Sequence, residues 1–207
     1  MPLIRKAAGA PFPVDDAAIA GDALLTGSVD ERWAAARALS SQPQAAAALG
    51  AALKVEPDAR VREAMLTSLV QIGTPESAEA IVPLIRCDDA SRRTGALDAL
   101  RLMPGVLAGR LGALLDDPDA DVRVLACDLA RELPARAATD LLCDLLARDR
   151  EPNVCAAAVD VLVECAGPEA LPALAACADR FSDVPFLVFS LKIAGDRIRD
   201  RTPLQDG

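Results

Sequence analysis

From Val29 to Arg180 the chain alternates short runs of Ala, Leu and Val at helical spacing with polar breaks that carry Asp, Pro or Gly. Apolar residues returning every three to four positions make one stripe of a helix, and each break ends that stripe. The runs that follow acidic turns can be aligned: "ERWAAARAL" from Glu31, "VREAMLTSL" from Val61, "RRTGALDAL" from Arg92, "VRVLACDLA" from Val122 and "VCAAAVDVL" from Val154. Their starts lie 30, 31, 30 and 32 residues apart. Similarity at such a period marks stacked units, each unable to bury its apolar face alone.

Every unit divides in the same way. Its turn reads "EPDA", "CDDA", "DPDA" or "REPN", which sets Asp58, Asp89 and Asp119 to accept from the free N–H groups of the helix that follows. A breaker comes next, "SSQP", "IGTP", "LMPG", "ELPA" or "CAGP", and a second apolar stretch follows it. Proline suits the first turn of that second helix, where its missing N–H costs little. The pattern predicts one domain over residues 13–199, made of five helical hairpins near 29–55, 56–87, 88–116, 117–149 and 150–182. Capping helices are expected near 15–26 and 184–199, a loose arm over 1–12 and a fraying tail over 200–207. The last helix, with Phe186 and Phe189, is expected to close the far end of the core. Arg32, Arg62, Arg93 and Arg123 share one register and form a column, which Cys155 interrupts in the fifth unit.

The stretch "EPDARVREAMLTSLVQIGTPESAEAIVPLI" resembles the HEAT-like repeats of the phycobilisome-lyase type, whose pattern runs DPD-x-x-VR-x-x-A…G-x-P-E-A…L. The resemblance extends over Val29 to Arg180. It implies an all-α fold, an α-α superhelix with right-handed stacking, first helices on the convex side and second helices on the concave side. It also implies that the repeated Asp and Arg bond between neighbouring units, so that the arginine column belongs to the stack. Such repeats serve many unrelated tasks, so the resemblance speaks to fold far more than to function.

Composition narrows the chemistry. Of 207 residues 52% are apolar but only 2% aromatic, with one Trp, no Tyr and no His, which suits a helical core of Ala, Leu and Val. The lack of His removes His-dependent triads, His-ligated metals and the dinuclear iron site that some HEAT-repeat hydroxylases carry. No phosphate loop, dinucleotide fingerprint or nucleophile elbow occurs. No catalytic, cofactor-binding or metal-binding residue is therefore assigned, and no cofactor is expected. The six cysteines show no CxxC spacing and read as small buried hydrophobes in a reducing compartment. With no secretory signal and no membrane-length run, a cytoplasmic address is expected, and Ala- and Arg-rich usage with only three Lys suggests a bacterial source. A net charge of −9 disfavours nucleic acid and suits a basic protein partner.

One surface emerges from the alignment. Six positions after each unit's start stand Arg37, Thr67, Asp98, Asp128 and Asp160; ten positions after stand Ser41, Gln71, Leu102, Glu132 and Glu164. Positions one turn apart share a helix face, so Asp98, Asp128, Glu132, Asp160 and Glu164 are expected to form an acidic stripe over the third to fifth units. Arg101 and Arg131 stand beside it, placed to offset the repulsion. The stripe reads either as a solvated face or as a contact for a basic protein segment. In the second helices Glu79, Arg110, Asp140 and Pro172 share a register without coherent charge. The function read from these residues is a non-catalytic protein–protein interaction scaffold. A lyase-like assembly factor acting on a cofactor-bearing protein is the alternative. A DNA-repair glycosylase-like solenoid fits less well, since the chain is acidic and poor in aromatics.

Overall fold

The computed structural model describes residues 21–201. The expected arm, the start of the leading helix and the tail beyond Arg201 lie outside the described residues. A short helix at residues 21–26 (α1) leads into α2 (Val29–Ala38) and α3 (Ala46–Val55), then α4 (Ala59–Ile72) and α5 (Pro75–Ile81). After a 3-10 turn, Val82–Arg86, come α6 (Ala90–Arg101) and α7 (Pro104–Leu115), α8 (Ala120–Leu129) and α9 (Ala135–Arg148), and α10 (Pro152–Cys165) and α11 (Leu171–Arg180). α12 (Pro185–Arg201) ends the series and runs two residues past its expected end. The fold is an all-α solenoid of helical hairpins, without a strand among the described residues.

Local chemistry sets the helix ends. Asp58, Asp89 and Asp119 each cap the following helix, their side chains accepting from backbone N–H groups in its first turn. Ser28 and Glu31 form a reciprocal capping box at α2. Gly73 ends α4 at φ 64°, a left-handed conformation open to Gly, and its N–H donates to the Leu69 carbonyl. Pro83 has no N–H to give to the carbonyl four residues back, and there α5 tightens into the 3-10 turn.

The chain divides into two compact units, up to Ile81 and from Val82. In the first, α2 lies against α4, and α3 against α4 and α5, around Ala36, Leu39, Leu49, Leu53, Met65 and Leu69. Gly50 permits the close approach of α3 to α5: a Cβ there would stand 2.5 Å from that of Ala80.

In the second unit the first helices form a row in which α8 touches α6 and α10, and α12 continues it against α10. Helices α9 and α11 pack together behind this row, and α11 also touches α12. α12 buries Leu187, Leu191, Ala194 and Ile198, one stripe at helical spacing. Phe186 and Phe189 are 50% and 65% exposed, so the core end is closed by aliphatic residues rather than by the two aromatics. The phase of four aliphatic positions decides which face turns inward, and the phenylalanines lie outside it.

The arginines of the shared register hold their own turns. Arg62, Arg93 and Arg123 each send Nη1 to the carbonyls six and five residues earlier: Glu56 and Pro57, Cys87 and Asp88, Asp117 and Pro118. Two members also bind the acid that opens the next hairpin. Arg32 pairs with Glu56 at 2.7 and 2.9 Å, and Arg123 with Asp149 at 2.7 and 3.2 Å. Both carboxylates are buried and accept the N–H two residues on, from Asp58 and Glu151. The hydrogen bonds from Arg32 hold the Glu56 carboxyl below its ordinary pKa. For Asp149 burial pushes upward, but the Arg123 and Glu151 donors outweigh it and the net shift is downward.

Candidate protein-interaction face

All five carboxylates picked out in the sequence belong to the second unit. Asp98 stands on α6, Asp128 on α8, Glu132 on the 3-10 turn that ends α8, and Asp160 and Glu164 on α10. Because α6, α8 and α10 are successive neighbours in one row, their equivalent positions come side by side.

The structure brings three of the five into one chain of ion pairs. Arg101 binds Asp98 at 2.6 Å within its own helix and reaches across to Asp128. Asp128 also accepts from Arg131 at 3.1 Å, and Arg131 reaches Glu164 on the next hairpin. The series Asp98–Arg101–Asp128–Arg131–Glu164 therefore alternates in sign across three hairpins. The geometry follows from the period: Asp98 and Asp128, like Arg101 and Arg131, are 30 residues apart, and each Asp precedes its Arg by three. Both guanidinium pKa values are raised, Arg101 chiefly by its bond to Asp128 and Arg131 chiefly by its bond to Glu164.

Glu132 and Asp160 stay outside this series; both are exposed and make no ion pair among the described residues. Five carboxylates against two guanidinia leave three negative charges on the face. Leu102, in the same register as Glu132 and Glu164, is 71% exposed and adds an apolar surface beside the charges. Such a face can bind by charge and by apolar contact.

The cysteines do not add a site. Cys127, Cys155 and Cys177 are buried, and all six are free thiols. Among the described residues no cluster of three or more Cys, Asp or Glu could hold a metal ion, and no helix is long and apolar enough to cross a membrane.

A second feature, which the alignment passed over, lies in the first unit. Trp33 is flanked by Arg37, with its Cζ 4.9 Å from the indole centroid, and by Arg60, at 5.7 Å. The i, i+4 spacing of Trp33 and Arg37 was a legible signal for the first contact; the second joins α2 to α4 and needs the fold.

The family model for HEAT repeats matches residues 21–101 and 108–184. Among solved structures, human deoxyhypusine hydroxylase in complex with glycerol is 20% identical, over 89% of this chain and 84% of that one, at a TM-score of 0.45. The complex of CpcE and CpcF of phycocyanin lyase from Nostoc sp. PCC7120 is 16% identical, over 95% and 100%, at 0.39. An engineered protein is 18% identical, over 89% and 97%, at 0.40. No curated protein sequence matches the chain.

Proposed function

The chain belongs to the HEAT-repeat family, and from that premise we propose that it is a non-catalytic scaffold or adaptor that binds a partner protein. The contact surface is the face of α6, α8 and α10 that carries Asp98, Asp128, Glu132, Asp160 and Glu164, and the partner offers it a basic segment. The observation that carries this reading is the residual charge of that face after Arg101 and Arg131 have been counted, set beside an exposed Leu102. A ladder of alternating sign, with one negative charge in excess, gives the face a fixed geometry, while Glu132 and Asp160 remain available to a cation.

The ladder also dictates the test. Reversing Asp128 would break two ion pairs inside the fold, so a loss of binding would have two causes. Glu132→Lys with Asp160→Lys changes the face by four charges and touches no internal pair. Tagged wild-type protein and this double variant are used to capture partners from the native cell, with the recovered proteins quantified by mass spectrometry. The expected result is a protein recovered by the wild type, released by salt and lost to the variant. Equal recovery by both proteins, with circular dichroism unchanged, would end this assignment.

A further inference from the structure

In the first unit the same register that is acidic in the second reads differently. Arg37 and Thr67 occupy position six and Gln71 position ten. Together with Trp33, Arg60 and Glu63 they line a surface cleft of about 250 Å³. We propose that this cleft binds a carboxylate carried by an acidic segment of a partner protein, with Arg37 as the main charge contact and Trp33 as the apolar floor.

Four observations carry the assignment. Arg37 has no carboxylate partner among the described residues and is held over the only indole in the chain. A guanidinium fixed on an aromatic face loses little freedom when it accepts a carboxylate, and its planar fork can hold both oxygens. Arg60, the second cation, is paired with Asp30 in an ion pair exposed at both ends, 57% and 87%, which is weak enough to yield to a competing carboxylate. Thr67 and Gln71 supply further donors, while the buried Ser68 hydroxyl is already committed to the Ala36 carbonyl. The cavity is smaller than a typical pocket for a drug-sized ligand and is of the order of one side chain. Trp and Arg are also the residue types that most often dominate the energy of protein interfaces.

The charge count selects a carboxylate over phosphate. Arg60 is matched by Asp30 and Glu63 also lines the cleft, so Arg37 is the one guanidinium there without an ion pair among the described residues, and it offers a single charge that one carboxylate matches and a dianion exceeds. This site is separate from the acidic face of the second unit, and neither depends on the other.

Because Trp33 is the only tryptophan, its fluorescence reports on the cleft alone. The full chain is titrated with an acetylated, amidated eight-residue peptide of Glu and Leu, with its twin carrying Gln for every Glu, and with inorganic phosphate. The Glu peptide should give a saturable change in emission, at least tenfold tighter than the Gln twin and weakened by salt. Arg37→Gln, at an exposed helix position, should reduce the affinity at least tenfold with circular dichroism unchanged, whereas Glu132→Lys with Asp160→Lys should leave it unaltered. The proposal is overturned by no saturable change, by equal response to the two peptides, by indifference to Arg37→Gln, or by phosphate binding tighter than the Glu peptide.

Discussion

Removing the carboxylate of Asp149 tests how the second unit is held together. Its oxygens accept Nε and Nη2 of Arg123 at 2.7 and 3.2 Å and the Glu151 N–H at 2.9 Å. Side-chain exposure is 14% for Arg123 and 4% for Asp149, so the pair is far from the surface regime. In Asp149→Ala the guanidinium would stay buried with its charge unmet, a loss that costs about 3–5 kcal/mol in comparable sites. Arg123 keeps its bonds to the Asp117 and Pro118 carbonyls, which places the expected cost near the lower end, about 3 kcal/mol. Urea unfolding followed by circular dichroism at pH 7 measures it. The folded-state pKa of Asp149 is depressed, so its contribution is fully present above the unfolded carboxylate value of about 3.9. It is lost as pH falls through the folded value, and the gap between wild type and variant should narrow with it. The exposed Arg136–Asp140 pair, 84% and 61% exposed, is the control: Arg136→Ala should cost about 0.5 kcal/mol or less. A cost below about 1 kcal/mol for Asp149→Ala, or a gap that stays the same at pH 3, would refute the reasoning.

Two further expectations concern the helix contacts and the thiols. Gly50→Ala forces a methyl to within 2.5 Å of the Ala80 Cβ and should lower stability by about 1–3 kcal/mol in thermal unfolding, whereas Gly109→Ala, with open space around it, should not. Burial, with the Asp149 charge as a lesser cause, pushes the Cys127 thiol up to about 12, and Cys143 rises to about 11. Iodoacetamide at pH 8 should leave Cys127 unmodified in the folded protein and label it in urea, as read by peptide mass spectrometry.

The repeat, the hairpins and three of the helix caps were legible because they are local. Asp58, Asp89 and Asp119 act on N–H groups two and three residues away, and spacing alone places them. The acidic register was legible too, but its charge balance was not. Arg101 and Arg131 could be seen beside the stripe, while their reach to Asp128 and Glu164 depends on the row of α6, α8 and α10. In the last helix, aromatic bulk suggested a core role for Phe186 and Phe189. The aliphatic phase of Leu187, Leu191, Ala194 and Ile198 was the better guide, because a helix turns its longest continuous apolar stripe inward.

Cys155 shows how the stack tolerates a missing member. All four earlier units have an arginine at this position; Arg62, Arg93 and Arg123 bind the carbonyl six residues back, and Arg32 binds that of Gly27, five back. Cys155 donates its thiol to the same carbonyl, that of Asp149, at 3.8 Å, a far weaker bond. Arg180, at the end of α11, makes up the loss: its Nη2 donates to that carbonyl at 3.1 Å, and the same guanidinium binds the Leu146 and Ala147 carbonyls in the last turn of α9. A cation at a helix C-terminus satisfies carbonyls that lack an N–H partner within the helix. The turn after α9 is thus tied from the next hairpin's second helix instead of its first. The requirement that persists through the stack is therefore a donor at the turn carbonyl rather than an arginine at one register position, and a cysteine can occupy the column wherever a neighbouring helix end supplies the charge.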